Sequence, residues 1–126
     1  MYNTRMSFAK TYSAQISYLK AQLVTIEADL SRGLHAFSIV GMPDKSVEEA
    51  RDRISAAIKN SGFDSPKSKN QKVVLSLAPA ELKKEGAMFD VGMALVYLKA
   101  SNEIDFDSEN KMFFGELALD LSLIHI

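Results

Sequence analysis

The run FDVGMALVYLKA, from Phe89 to Ala100, leaves this chain the least choice of fold. At helical spacing it is apolar nearly all round, with Asp90 and Lys99 the main exceptions. A helix without a polar face cannot lie on a surface, so this one belongs in the interior, against a sheet. Asp90, near its start, suits the positive end of the helix dipole. The remaining residues must supply that sheet and the rest of the covering layer.

The sheet is legible upstream. From Tyr12 the chain reads as strands. "SAQISYL" is followed by "QLVTIEADL", where Val24, Ile26 and Ala28 alternate with Leu23, Thr25 and Glu27. That period of two marks a half-buried strand. Ser31–Gly33 is a turn signal, and "LHAFSIVG" reads as a third strand. Three strands in succession suggest an antiparallel meander.

"GMPDKSVEEARDRISAAIKNSGF" then carries helix signals. Gly41 and Pro43 break the strand, Asp44 or Ser46 can cap the helix, and Ser46 with Glu49 fits a capping box. Val47, Ala50, Ile54 and Ala57/Ile58 form one apolar stripe. Glu49 and Arg53 stand at i,i+4, a weak pairing worth ~0.3 kcal/mol. Asn60-Ser61-Gly62 ends the helix, with Gly62 the left-handed residue. "DSPKSKNQK" is a polar loop, "KVVLSLAP" a strand, "SNEIDFDSENK" an acidic loop, and "MFFGELALDLSLIHI" a closing strand. The order βββ-α-β-α-β predicts an α+β fold, a mixed sheet of about five strands with two helices on one face.

Composition narrows the function. With 126 residues, 47% hydrophobic and 25% charged, the chain fits one globular domain with one core. A net charge of −1 argues against a free-standing nucleic-acid binder, although a local basic patch is compatible with it. The absence of cysteine removes disulfides, thiolate catalysis and Cys-based metal sites. Apolar runs fall far short of the ~18 residues of a membrane span. "MYNTRMSFAK" lacks the apolar centre of a signal peptide, so a cytoplasmic location is expected.

The chemical motifs are thin. A P-loop needs G-x-x-x-x-G-K-[ST]; Gly86 and Gly92 stand six apart, and Met93 and Ala94 fill the Lys and Ser/Thr places. "DFDSEN" resembles the start of a calcium loop, yet Asn110 stands at the glycine position. His35 and His125 are isolated, and Met88 and Met93 read as core filler. Five lysines on two loops, Lys67, Lys69, Lys72, Lys83 and Lys84, are the candidate contacts for DNA or an acidic partner, provided the loops meet. No catalytic, cofactor or metal residue is assigned.

The strings "YSAQ…VTIEADLSRGLHAFSIVGMPDKSVEEARDRISAAIKNSGF", "VVLSLAPAELKKEGAMFDVGMAL" and "FFGELALD" resemble the N-terminal domain of the ComM/YifB family, magnesium-chelatase-like AAA+ proteins of bacteria. The resemblance runs from about Ala9 to Asp120 and divides the chain into residues 1–8, an N-terminal extension or cloning scar, a Lon-like domain at 9–120, and an atypical or truncated end at 121–126. At that end the family's turn glycine, arginine and proline are missing. The resemblance implies the fold of ribosomal protein S5 domain 2, shared with the proteolytic domain of Lon. It also implies a following AAA+ module of the same polypeptide that uses ATP and Mg2+, a hexameric homo-oligomer, and DNA as a partner; some members move DNA branches during natural transformation.

The same resemblance gives Lys84-Glu85-Gly86-Ala87-Met88 a meaning. It is similar to the Lon loop K-D-G-P-S, with Met88 where the nucleophilic serine would stand. A thioether cannot be activated by a lysine base, and the Lon partner lysine lies in a region past Ile126. The expectation is therefore a non-catalytic accessory domain. The rivals are an autonomous weak DNA-binding module on the five lysines and a degenerate Lon-like peptidase.

Overall fold

The computed structural model describes residues 5–17, 19–118 and 123–125. Strands β1 (Arg5–Ser17) and β2 (Lys20–Arg32) form a long antiparallel hairpin, Lys10 opposite Glu27 and Ala14 opposite Leu23. β3 (Ala36–Val40) leads through α1 (Lys45–Glu48) and α2 (Ala50–Asn60) to β4 (Gln71–Ala78). α3 (Asp90–Ala100) follows, then β5 (Glu116–Leu117) and β6 (Leu123–His125).

The α+β class and the mixed sheet are as expected, but the meander is not. The strand order is β1-β2-β4-β3, with β4 antiparallel to β2 and parallel to β3. β4 buries Val73, Leu75 and Leu77 and takes the place between β2 and β3, where both its edges are paired. The helical crossover from β3 to β4 makes their parallel pairing feasible. β1 also starts at Arg5, earlier than Tyr12. The closing segment does not join this sheet: β5 and β6 form a separate antiparallel ribbon.

One face of the sheet is dry. Val24, Ile26, Ala28 and Leu30 alternate inward from β2 and share one core with Val47, Ala50, Ile54 and Ile58 of the predicted stripe and with α3; Ala57 is buried as well. α3 lies directly on β1 and β2. Gly92 permits this approach, since a Cβ there would stand 2.8 Å from the Ile26 side chain, and the Thr11 hydroxyl donates to the Gly92 carbonyl at 3.0 Å.

The expected capping box does not form. Asp44 alone caps α1, accepting from the Val47 amide at 2.8 Å, while Glu49 sits where α1 ends and α2 begins. Arg53 forms its ion pair with Asp90, two-pronged, Nε to Oδ2 at 2.7 Å and Nη2 to Oδ1 at 3.0 Å, with Glu49 acting on it only as a more distant charge. Asp90 is wholly buried and also accepts from the Leu117 amide at 3.2 Å. It ties α2, α3 and β5 together from the first turn of α3, where a carboxylate also suits the helix dipole as expected. Gly62 is left-handed as predicted, at φ 94°.

Candidate functional site

The junction between β4 and α3, residues 79–89, is the region where the motif reading and the structure can be compared atom by atom. Backbone hydrogen bonds stitch it to the loop after β3: the Lys84 amide donates to the Met42 carbonyl at 2.9 Å, and the Asp44 amide to the Lys84 carbonyl at 2.8 Å. Gly41, in the loop after β3, makes a second close approach feasible, that of this loop to β4. Its φ is 108°, and a Cβ there would lie 2.1 Å from the Leu77 carbonyl oxygen, a clash that only glycine avoids.

Lys84 is the centre of the arrangement. Its side chain is fully buried, and its Nζ donates to the carbonyls of Gly41, at 2.6 Å, and Pro79. Burial pushes the Lys84 ammonium below its ordinary pKa, with Glu81 acting weakly in the opposite direction. A buried ammonium satisfied by two carbonyls bridges two loops. It cannot also reach an external phosphate, so Lys84 leaves the set of surface contacts.

Three further ties fix the loop. Asp44 spends its second oxygen on the Gly86 amide at 3.3 Å. Gln15 reaches across from β1, donating Nε2 to the Lys83 carbonyl and accepting the Glu85 amide at Oε1, both at 2.8 Å. Gly86 is left-handed, at φ 86°. Met88, in the nucleophile position of the resembled loop, lines a cavity of about 220 Å³ with Ala14, Gln15, Ile16, Glu85, Phe89 and Phe114. The arrangement holds an apolar side chain where acyl transfer would need a hydroxyl or thiol.

The other lysines do not gather. Lys67, Lys69 and Lys72 precede or begin β4, whereas Lys83 and Lys84 follow it. A strand of eight residues separates the groups by roughly 25 Å. The two loops therefore lie at opposite ends of the strand, and the single five-lysine patch does not form. Lys67 pairs with Asp52 at 2.9 Å, and Lys69 lies 3.8 Å from Glu103. Lys72 and Lys83 are exposed, and so is His35. Among the described residues no group of three or more acidic or histidine side chains is placed to hold a metal. No helix is long and apolar enough to cross a membrane.

Sequence reasoning missed the Gln15 clamp, for which a lone glutamine in a strand gives no signal. It also missed the Arg53–Asp90 pair. There the signal existed: a single carboxylate in an otherwise apolar helix must find a cation or stay neutral.

The family described as subunit ChlI of Mg-chelatase matches residues 26–126, most of the chain. The chain belongs to the ComM/YifB family of ChlI-type proteins. Competence protein ComM of Haemophilus influenzae is 42% identical to it over 115 residues. YifB of Salmonella typhimurium is 39% identical over 115 residues, and YifB of Escherichia coli 36% over 118. These alignments cover 90%, 90% and 94% of the chain but 22% of each relative, so the chain corresponds to about a fifth of a ComM/YifB protein.

Proposed function

We propose that this is a non-catalytic accessory domain of a ComM/YifB-type AAA+ protein, serving assembly or partner contact through the β4–α3 junction. The observation that carries the reading is the state of that junction. Met88 occupies the nucleophile position, and the adjacent lysine is committed to the Gly41 and Pro79 carbonyls. The nucleophile of a serine–lysine dyad is missing, while the loop geometry is held by Gln15, Asp44 and Lys84. In the intact protein the domain would accompany an ATPase module that uses ATP and Mg2+, in a cytoplasmic homo-oligomer, a hexamer by resemblance, that acts on DNA. The competence name of one relative supports that last element.

The test is covalent labelling. A fluorophosphonate probe is expected to leave the intact mass of the purified chain unchanged. Stoichiometric labelling near Gly86 that survives the Ser76→Ala and Ser101→Ala changes would overturn the non-catalytic reading.

A further inference from the structure

One flank of α2 faces a groove. Asp52, Ser55, Ala56 and Lys59, at i, i+3, i+4 and i+7, share that flank and form one wall. Ser65, Lys67 and Ser68 form the other, from the 3-10 turn Pro66–Ser68 and the residue that caps it, and the two walls bound about 400 Å³. The turn is fixed by buried Pro66 and by its own bonds. The Ser65 hydroxyl accepts from the Lys67 amide at 3.2 Å, and the Ser68 hydroxyl donates to the Ser65 carbonyl at 2.7 Å. Lys67 joins the walls, Nζ to Asp52 Oδ1 at 2.9 Å.

Ser55 is the deepest polar group of this groove. The residue is 5% exposed, and its Oγ is buried with no hydrogen-bond partner among the described residues. A helical serine can give its proton to the carbonyl four residues back. Ser61 does so, to Ala57 at 3.0 Å, and Ser55 does not. A buried, unpaired hydroxyl inside a helix costs stability that alanine would not. The free donors of the groove follow residue by residue. Ser68 has spent its proton on the Ser65 carbonyl, whereas Ser65 only accepts and Ser55 is unpaired, so both keep a proton to give. Lys67 has donors beyond the one on Asp52, and the exposed Lys59 ammonium has no ion-pair partner among the described residues.

We propose that this groove binds a single phosphate group, as inorganic phosphate or a phosphomonoester, with the Lys59 and Lys67 ammonium groups and the Ser55 and Ser65 hydroxyls as donors. Donors from two walls suit a tetrahedral anion, and the bonds from the ammonium groups are charge-assisted. Two ammonium charges against the one carboxylate of Asp52 leave the groove singly positive. That is enough for one phosphate and too little for a polyphosphate or a nucleic-acid strand. Asp52, 78% exposed, repels further negative charge at the rim. In MgATP the metal already holds the terminal oxygens, so MgATP does not compete. The groove lies before β4 and the β4–α3 junction after it, so failure here leaves the non-catalytic reading standing.

The test is a titration of 15N-labelled chain with inorganic phosphate at constant ionic strength, beside glycerol 3-phosphate, chloride and an oligothymidylate without terminal phosphates. Phosphate is expected to give saturable amide shifts at Ser55, Lys59, Ser65, Lys67 and Ser68, and chloride none. An equal response to glycerol 3-phosphate makes phosphomonoesters the ligand class, and a response about tenfold weaker assigns the site to free phosphate. Lys59→Gln should weaken phosphate binding at least about tenfold, the loss of one contact of 1.4 kcal/mol. Asp52→Asn should tighten it, by freeing Lys67 and removing the repelling charge. Ser55→Ala should weaken it while raising the urea midpoint of the free chain, a combination that a merely structural hydroxyl would not give. The proposal is overturned by shifts that chloride reproduces or that lie elsewhere, by unchanged affinity in Lys59→Gln or Ser55→Ala, by a lower midpoint in Ser55→Ala, or by weaker binding in Asp52→Asn. Tighter binding of the oligothymidylate than of phosphate would also overturn it and make the groove a contact for a nucleic-acid backbone.

Discussion

At the scale of single residues, Asp90 and Tyr97 are the buried polar groups with most at stake. Asp90 has no exposure and three hydrogen bonds, two from Arg53 and one from the Leu117 amide. Asp90→Ala strands the guanidinium of Arg53, and breaking a buried pair from one side costs about 3–5 kcal/mol. Urea unfolding should show that loss, and the double change Arg53→Leu with Asp90→Leu should recover part of it. Tyr97 accepts from the Gln71 side chain at 2.7 Å. Burial pushes its phenol above the ordinary value of 10.0, against the smaller downward pull of that hydrogen bond. The folded chain therefore keeps this proton at a pH where the unfolded chain has lost it. The stabilisation is complete below about pH 10 and is lost as pH rises through the folded value. Lys84 runs the opposite way, because its lowered pKa makes stability rise with pH toward its ordinary value of 10.5. Comparing wild type with Tyr97→Phe between pH 9 and 11 isolates the tyrosine (arms set about its ordinary pKa). The variant should lose less stability over that interval.

At the scale of elements, the sequence disclosed what periodicity encodes and hid what non-local pairing decides. The inward row of β2, the stripe of α2 and the interior placement of α3 were all legible, because burial imposes a period of two or 3.6. The position of β4 between β2 and β3 was not, since adjacency in a sheet leaves no mark on local spacing. The separation of the two lysine loops was hidden for the same reason: loops near in sequence lie at opposite ends of the strand between them. Gly92 makes the packing of α3 testable. A Cβ would approach the Ile26 side chain to 2.8 Å, and overpacking of this kind costs about 1–3 kcal/mol. Gly92→Val should lower the urea midpoint with little change in slope, and Ile26→Val in the same chain should restore part of the loss. Asp44→Ala should cost about 1 kcal/mol as a lost cap, and more if the bond from the Gly86 amide is also felt.

At the scale of the whole molecule, the dispersal of the lysines governs what this fragment can do with DNA. Lys67 and Lys69 lie beside carboxylates, Lys84 is buried, and Lys72 and Lys83 are separated by β4. Affinity for single-stranded DNA should be ~10⁻⁴ M or weaker at physiological salt. Its log–log salt slope should stay below about two contacts' worth, near −1.4 at most. Fluorescence anisotropy across a salt series checks this, and submicromolar binding lost with Lys67, Lys69 and Lys72 changed to Ala would favour a DNA-binding module instead. ATP with Mg2+ should leave the melting temperature unchanged, whereas a ligand at 100 times its Kd would add ~2.7 kcal/mol. The central claim is that the junction is held as structure around a buried Lys84. Brief acetylation of the folded chain followed by peptide mass spectrometry tests it most directly. Lys72 and Lys83 should be modified readily and Lys84 only after unfolding. A Lys84 that reacts as fast as Lys83, or faster, would mean an accessible basic amine at the junction and would contradict the claim.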